Sequence, residues 1–189
     1  MAYKIKTAPT TEPVTLDEAK AHLQVTTIDD DILIESLIKT ARQQVENYTN
    51  RQLLSATWEL FIDSFPSGLI YLEKSPVISV TSIEYYAEKD DSERTEFDSE
   101  KYIVDNSNCP ARLSPIVGES WPSVINQLSA VKIEFEAGYA SAVDVPAPIK
   151  SAILLIVGNL YENRGDEGHR MMPKTIEYLL DPYVAFVFV

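Results

Sequence analysis

A chain of 189 residues with 45% hydrophobic side chains can bury a core of its own, which excludes a disordered polymer. Sixteen Lys and Arg against 29 Asp and Glu leave a formal charge of -13, which excludes a surface that grips nucleic-acid phosphates, because that affinity comes from clustered basic side chains releasing counterions. One cysteine and two histidines exclude an internal disulfide framework and a structural zinc set, and stability must come from packing.

No stretch approaches the roughly 20 apolar residues that cross a bilayer, and the start, Met1-Ala2-Tyr3-Lys4, lacks an apolar signal-type segment. No membrane partner is expected, and the protein is expected to stay in the compartment where it is made. An extended lead containing Pro9 and Pro13 comes first. Thr15-Leu16-Asp17-Glu18 then has the form of a capping box, in which Thr15 accepts the Glu18 amide and Glu18 reaches back. A short helix to about Leu23 is expected, with Leu16, Ala19 and Leu23 on one side and Thr26-Thr27 ending it.

From Asp30 to about Thr49 the positions Leu33, Ile34, Leu37, Ile38, Ala41, Val45 and Tyr48 recur at spacings of three and four without Gly or Pro. That predicts a helix long enough to be the spine of a domain. After Arg51 the period becomes two. Strands are expected at 57–63, 69–72, 77–86, 102–104, 111–113 and 131–139, all rich in Val, Ile, Tyr and Phe and separated by Pro, Gly, Asn and Asp. Between Glu84 and Lys101 stand eight acidic and three basic residues, which suits a solvated hairpin tip around Lys89-Asp90-Asp91-Ser92.

Helical spacing returns after Pro146-Ala147-Pro148 through Ile149, Ala152, Ile153, Ile156, Val157, Leu160 and Tyr161, ending near Asn163-Arg164-Gly165. A last helix opens at Pro173 and runs to Asp181-Pro182. The fold class is therefore α+β. Two long and two short helices form a helical core, in which the two long ones pack together, with a small, mostly antiparallel sheet inserted. We read one domain over 1–189, made of N-terminal helices (13–52), a β-rich insertion (56–140), C-terminal helices (146–181) and an apolar tail (182–189).

Several residues invite a chemical reading. Asp29-Asp30-Asp31 has no calcium-loop spacing and suits helix capping and the macrodipole, so no metal is expected. His22 and His169 stand apart from one another, and Cys109 has no basic neighbour to make it a thiolate. Trp58 sits in a strand pattern and reads as core, whereas Trp121 before Pro122 could stack on a ligand. No catalytic set, no metal and no cofactor is expected. The polar cluster Tyr161-Glu162-Asn163-Arg164 reads equally as a helix end and as an interface. The final Val184-Ala185-Phe186-Val187-Phe188-Val189 would show two apolar faces when extended, so Val184, Phe186 and Phe188, with Tyr161 and Arg164, are the candidate oligomer-interface residues.

With these segments placed, the chain resembles the phage head-tail connector family in its longer form with a β-rich middle. The first matching run is Pro13-Val14-Thr15-Leu16-Asp17-Glu18-Ala19-Lys20-Ala21-His22-Leu23, then Asp29-Asp30-Asp31 followed by Ile34, Leu37, Ile38, Ala41, Val45, Glu46, Tyr48, Thr49 and Arg51. The last is Val145 through Leu155 and on to Tyr161-Glu162-Asn163-Arg164. Where the family places glycine before Arg51, this chain has Asn50, which tolerates the left-handed conformation of a helix stop.

The resemblance implies a non-enzymatic structural subunit of a phage particle, assembled in the bacterial host cytoplasm. Copies would form a homo-oligomeric ring between the portal protein and the next tail-completion protein, with DNA passing through without tight binding. Two alternatives of other classes are an acidic DNA-mimicking inhibitor, which needs an acidic face with phosphate-like spacing, and a hydrolase using paired carboxylates of the acidic hairpin, which needs two carboxyls in a pocket with an apolar floor.

Overall fold

The structure is a computed structural model and describes residues 1–87, 93–163 and 172–185. The chain forms two compact units. One takes Pro9–Leu54 with Tyr139–Ala185; the other takes Met1–Ala8 with Ser55–Gly138.

The first unit is helical. Helix α1 (Leu16–Leu23) opens with the expected capping box: the Thr15 side chain accepts the Glu18 amide (3.2 Å), and the Thr15 amide donates to Glu18 Oε2 (2.7 Å). Gln24 ends it in the left-handed conformation (φ 57°), earlier than the Thr26-Thr27 pair, because its amide can close back on the Ala21 and Lys20 carbonyls. Helix α2 spans Asp31–Thr49, and Asn50 stops it at φ 52° with its amide on the Glu46 carbonyl, so asparagine does serve in place of glycine. Helix α3 is Ala147–Glu162 and α4 is Lys174–Leu180, each opening just after a proline.

The apolar stripes explain the packing of this unit. Ile34, Ile38, Ala41 and Val45 of α2 share one buried cluster with Ile149, Ala152, Ile153, Ile156 and Val157 of α3, so the two long helices do pack together. Ala19 of α1, Ile176 and Leu180 of α4, and Val14, Leu53, Leu54 and Val145 from the connecting segments belong to the same cluster.

The second unit holds two antiparallel sheets where one had been expected. Strands β1 (Ala2–Thr7), β2 (Ala56–Ile62), β4 (Val77–Tyr85), β5 (Thr95–Glu96) and β8 (Val131–Ala137) form the larger, in the order β1-β2-β8-β4-β5. Strands β3 (Ile70–Leu72), β6 (Tyr102–Asp105) and β7 (Ala111–Pro115) form the smaller, in the order β3-β7-β6. Period-two burial is clearest in β8, where Val131, Ile133, Phe135 and Ala137 are buried and Lys132, Glu134 and Glu136 alternate with them.

The lead thus contributes a strand that was read only as extended chain. Its register is set by pairs such as Tyr3 with Leu60 and Lys4 with Glu59. Buried side chains of both sheets, among them Leu60, Ile83, Phe135, Ile70, Leu72 and Leu113, belong to one cluster.

Candidate functional site

Of the proposed interface residues the structure describes two, Val184 and Tyr161. Phe186, Phe188 and Arg164 lie outside the described residues. Val184 follows a 3-10 turn (Asp181–Tyr183) and is half-buried. The segment around it is anchored to the end of α2: the Ala185 amide donates to the Thr49 carbonyl (2.8 Å), Asn50 Nδ2 to the Ala185 carbonyl (3.3 Å), and Arg51 Nε to the Tyr183 carbonyl (2.5 Å). Residues 49–51 that end α2 therefore also hold the approach to the tail. The Tyr161 hydroxyl donates to Asp30 Oδ2 (2.5 Å), tying the end of α3 to the start of α2.

That tie accounts for one member of the aspartate run. Asp30 is the N-cap residue of α2, but its side chain makes no capping bond and receives Tyr161 instead. Asp31 pairs with Lys20 of α1 (2.5 Å). Asp30 and Asp31 thus make helix-to-helix contacts at the start of α2, where acidic groups also suit its macrodipole, which corrects the capping expectation at Asp30. Among the described residues no group of three His, Cys, Asp or Glu could hold a metal.

A denser polar cluster, missed in the sequence, surrounds Glu46 on α2. Its carboxylate accepts from Arg42 Nη1 (2.6 Å), Gln52 Nε2 (2.9 Å) and the Leu53 amide (3.0 Å), and Arg42 Nε also donates to Glu12 (2.7 Å). Burial pushes the Glu46 carboxyl above its ordinary range, while the Leu53 amide and Arg42 pull it down. Three donors of the fold converge on this carboxylate, which makes it a buried brace. The i to i+4 spacing of Arg42 and Glu46 was the one signal for it.

In the β unit, Asp105 is held down to about 2 by bonds from Ser107, Arg112 and Asn108, which close the turn between β6 and β7. Tyr3 is pushed up to about 12 by burial; its hydroxyl receives the Glu73 amide (3.0 Å). The acidic run is only partly a tip. Residues 88–92 lie outside the described residues, while Glu84 and Glu96 face each other across β4 and β5, and Glu84 pairs with Lys132 (2.9 Å).

Trp58 packs into the β core with the Lys74 ammonium over its ring, 4.9 Å from the centroid. Trp121 stacks on Phe65 (5.0 Å between centroids, planes 3° apart), has Phe97 against it, and donates Nε1 to the Gly68 carbonyl (3.0 Å). Its ring is a wall of the aromatic core and not a free ligand platform. Cys109 is exposed and free.

Three of the surface hollows are lined by described residues. One of about 550 Å³ is lined by Phe65, Leu69, Pro115, Trp121 and Pro122 with Glu119 as its only charge. Another, of about 360 Å³, has an apolar floor of Val14, Leu16 and Ile38 beside Glu12, Glu35 and Lys39. Glu12 there is spent on Arg42, and Glu35 is exposed to solvent. The third, about 520 Å³, brings His22 beside Asn159 and Glu162. None assembles a nucleophile with an oriented base.

The sequence model of the phage gp6-like head-tail connector proteins matches residues 13–119, more than half of the chain. The chain belongs to this family. No curated protein matches it in sequence.

The same fold is found in chains of solved particles. A chain of the structure described as "Virion of native gene transfer agent (GTA) particle" is similar with a TM-score of 0.82 and 21% identity, covering 100% of this chain and 98% of that one. A chain of the "Neck of empty GTA particle computed with C6 symmetry" gives 0.82 and 22% over the same shares. One from the "Neck of native GTA particle computed with C12 symmetry" gives 0.81 and 20%. At these identities the likeness is one of fold.

Proposed function

We propose that this chain is a non-enzymatic subunit of a homo-oligomeric connector ring in a phage particle, assembled in the bacterial cytoplasm. There it would work as a single connector domain between the portal protein and the next tail component, with the genome passing through the ring. Membership of the head-tail connector family carries this reading. A fold shared along the whole chain with neck proteins of a particle treated with six-fold and twelve-fold symmetry supports the ring.

The polar chemistry agrees. Carboxylates that a hydrolase would need are paired, as in Glu46, Glu12 and Glu84, or left in solvent, as in Glu35. A net charge of -13 repels a passing duplex and leaves it mobile. The apolar end from Val184, continued in sequence by Phe186 and Phe188, belongs to the proposed contact surface together with Tyr161 and Arg164.

Titration of the chain with labelled duplex DNA at physiological salt tests the channel role. Binding no tighter than the nonspecific range of about 10⁻⁴ M is expected, and tight, salt-sensitive binding would refute it. Deleting residues 184–189 and comparing masses tests the tail: an unchanged oligomer would remove it from the subunit contact.

A further inference from the structure

The larger sheet has two open edges on opposite sides. Among the described residues β1 (Ala2–Thr7) pairs with β2 on one flank only, so every second residue along it turns its main-chain N–H and C=O outward on the other. At the far edge β5 covers only Glu84 and Tyr85 of β4, and the Phe97 amide takes the Ile83 carbonyl (2.7 Å). Among the described residues, Val77–Ser82 therefore has no strand partner on that side. Ile78, 39% exposed, Ser79 and Thr81 lie open along it. An uncovered edge invites another strand, and proteins usually blunt or cover such edges.

We propose that β1 of one copy pairs with the Val77–Ser82 edge of β4 in the next, continuing the larger sheet from subunit to subunit. This rests on the ring reading and names the contact that would build it. Four observations favour a second copy as the occupant. The open edges match in length, six residues each. Three antiparallel steps separate β1 from β4, so the two run in opposite senses, and a copy set alongside by a small rotation offers its β1 antiparallel to the waiting β4.

The charges are also complementary. Lys6 and Glu84 are paired within their own copy, with Glu134 and Lys132, but residues 1–8 also carry Lys4 and no acid, whereas the β5 flank carries Glu93, Glu96, Asp98 and Glu100 against Arg94 and Lys101. Finally, a contact between opposite edges is head-to-tail, which closes as a ring when the rotation allows. Bulges between Val77 and Ser79 and between Val80 and Ser82 bend β4, and a sheet carried around a ring needs such a bend.

Cross-linking tests this directly. Within one copy three strand spacings, about 14 Å, separate β1 from β4, too far for a disulfide, whose Cα atoms lie within about 7 Å. Full-length protein carrying Lys4→Cys and Ser79→Cys, or Lys4→Cys and Thr81→Cys, in a Cys109→Ser background should give a ladder of linked chains on mild oxidation. Each single-cysteine variant should stop at dimers. Lys4→Glu should weaken self-association about fivefold, the scale of one exposed ion pair. Rings that form while both double variants fail to ladder would overturn the edge pairing and leave the ring reading standing. A chain that stays monomeric at every attainable concentration would overturn both.

Discussion

In the helical unit, most of the core comes from two uninterrupted stretches, the 19 residues of α2 and the 16 of α3, each burying five side chains on one face. In the β unit a strand such as β3 buries two residues, and its partner β7 lies some forty residues along the chain. The first kind of order is written locally and completed by one long-range contact. The second exists only once several distant strands have met, and it ends in open edges that the helical unit does not have. On the edge-pairing proposal this difference divides the labour, the sheet being the unit that another copy continues.

The largest expected effects would break that division at its two cores. Phe135→Ala in β8 and Ile153→Ala in α3 each empty a fully buried site, and each should cost about 3–5 kcal/mol. Both tryptophans lie in the β unit, so fluorescence follows Phe135→Ala there while far-UV circular dichroism follows the helices in Ile153→Ala. Denaturant midpoints that do not move would show that these positions are not the cores described.

Next comes the buried brace. Glu46→Ala strips Arg42, Gln52 and the Leu53 amide of their acceptor and should cost about 3 kcal/mol, seen as a lower midpoint in the helical signal. A smaller loss, about 1 kcal/mol, is expected for Thr15→Ala, which opens the capping box of α1. In the β unit the counterpart of that cap is the Asp105 turn. Asp105 is depressed from its ordinary 3.8 to about 2, so the stability it adds is present above pH 3.8 and lost as pH falls toward 2. Asp105→Asn should flatten the pH dependence of the fluorescence midpoint in that window alone.

Legibility in the sequence followed the same division. Three-and-four spacing exposed α2 and α3, and Thr15 with Glu18 exposed the start of α1, because each signal fits inside a turn or two of helix. Asn50 could be read as a helix stop from its tolerance of the left-handed region. Strand β1 escaped notice although Tyr3 and Ile5 alternate with Lys4 and Lys6: an edge strand has one partner and little burial, and that partner lies some fifty residues on. Strand β5 is two residues long, too short for any period. The division into two sheets depends on which strands meet, which alternation alone does not encode.

The candidate site was less legible still. Tyr161 and Asp30 are 131 positions apart, and the acidic run Asp29-Asp30-Asp31 looks like a cap until the helix it answers to is in place. Glu46 reads as an ordinary surface charge until Leu53 and Gln52 fold back on it.

Self-assembly into a closed ring is the claim on which the rest depends, and electron microscopy of the concentrated full-length chain, with masses from light scattering, tests it most directly. The account predicts end-on views of a ring with a central opening and a mass that is a whole multiple of 21.2 kDa. Two-fold dimers or open filaments, with no closed ring at any concentration, would contradict it.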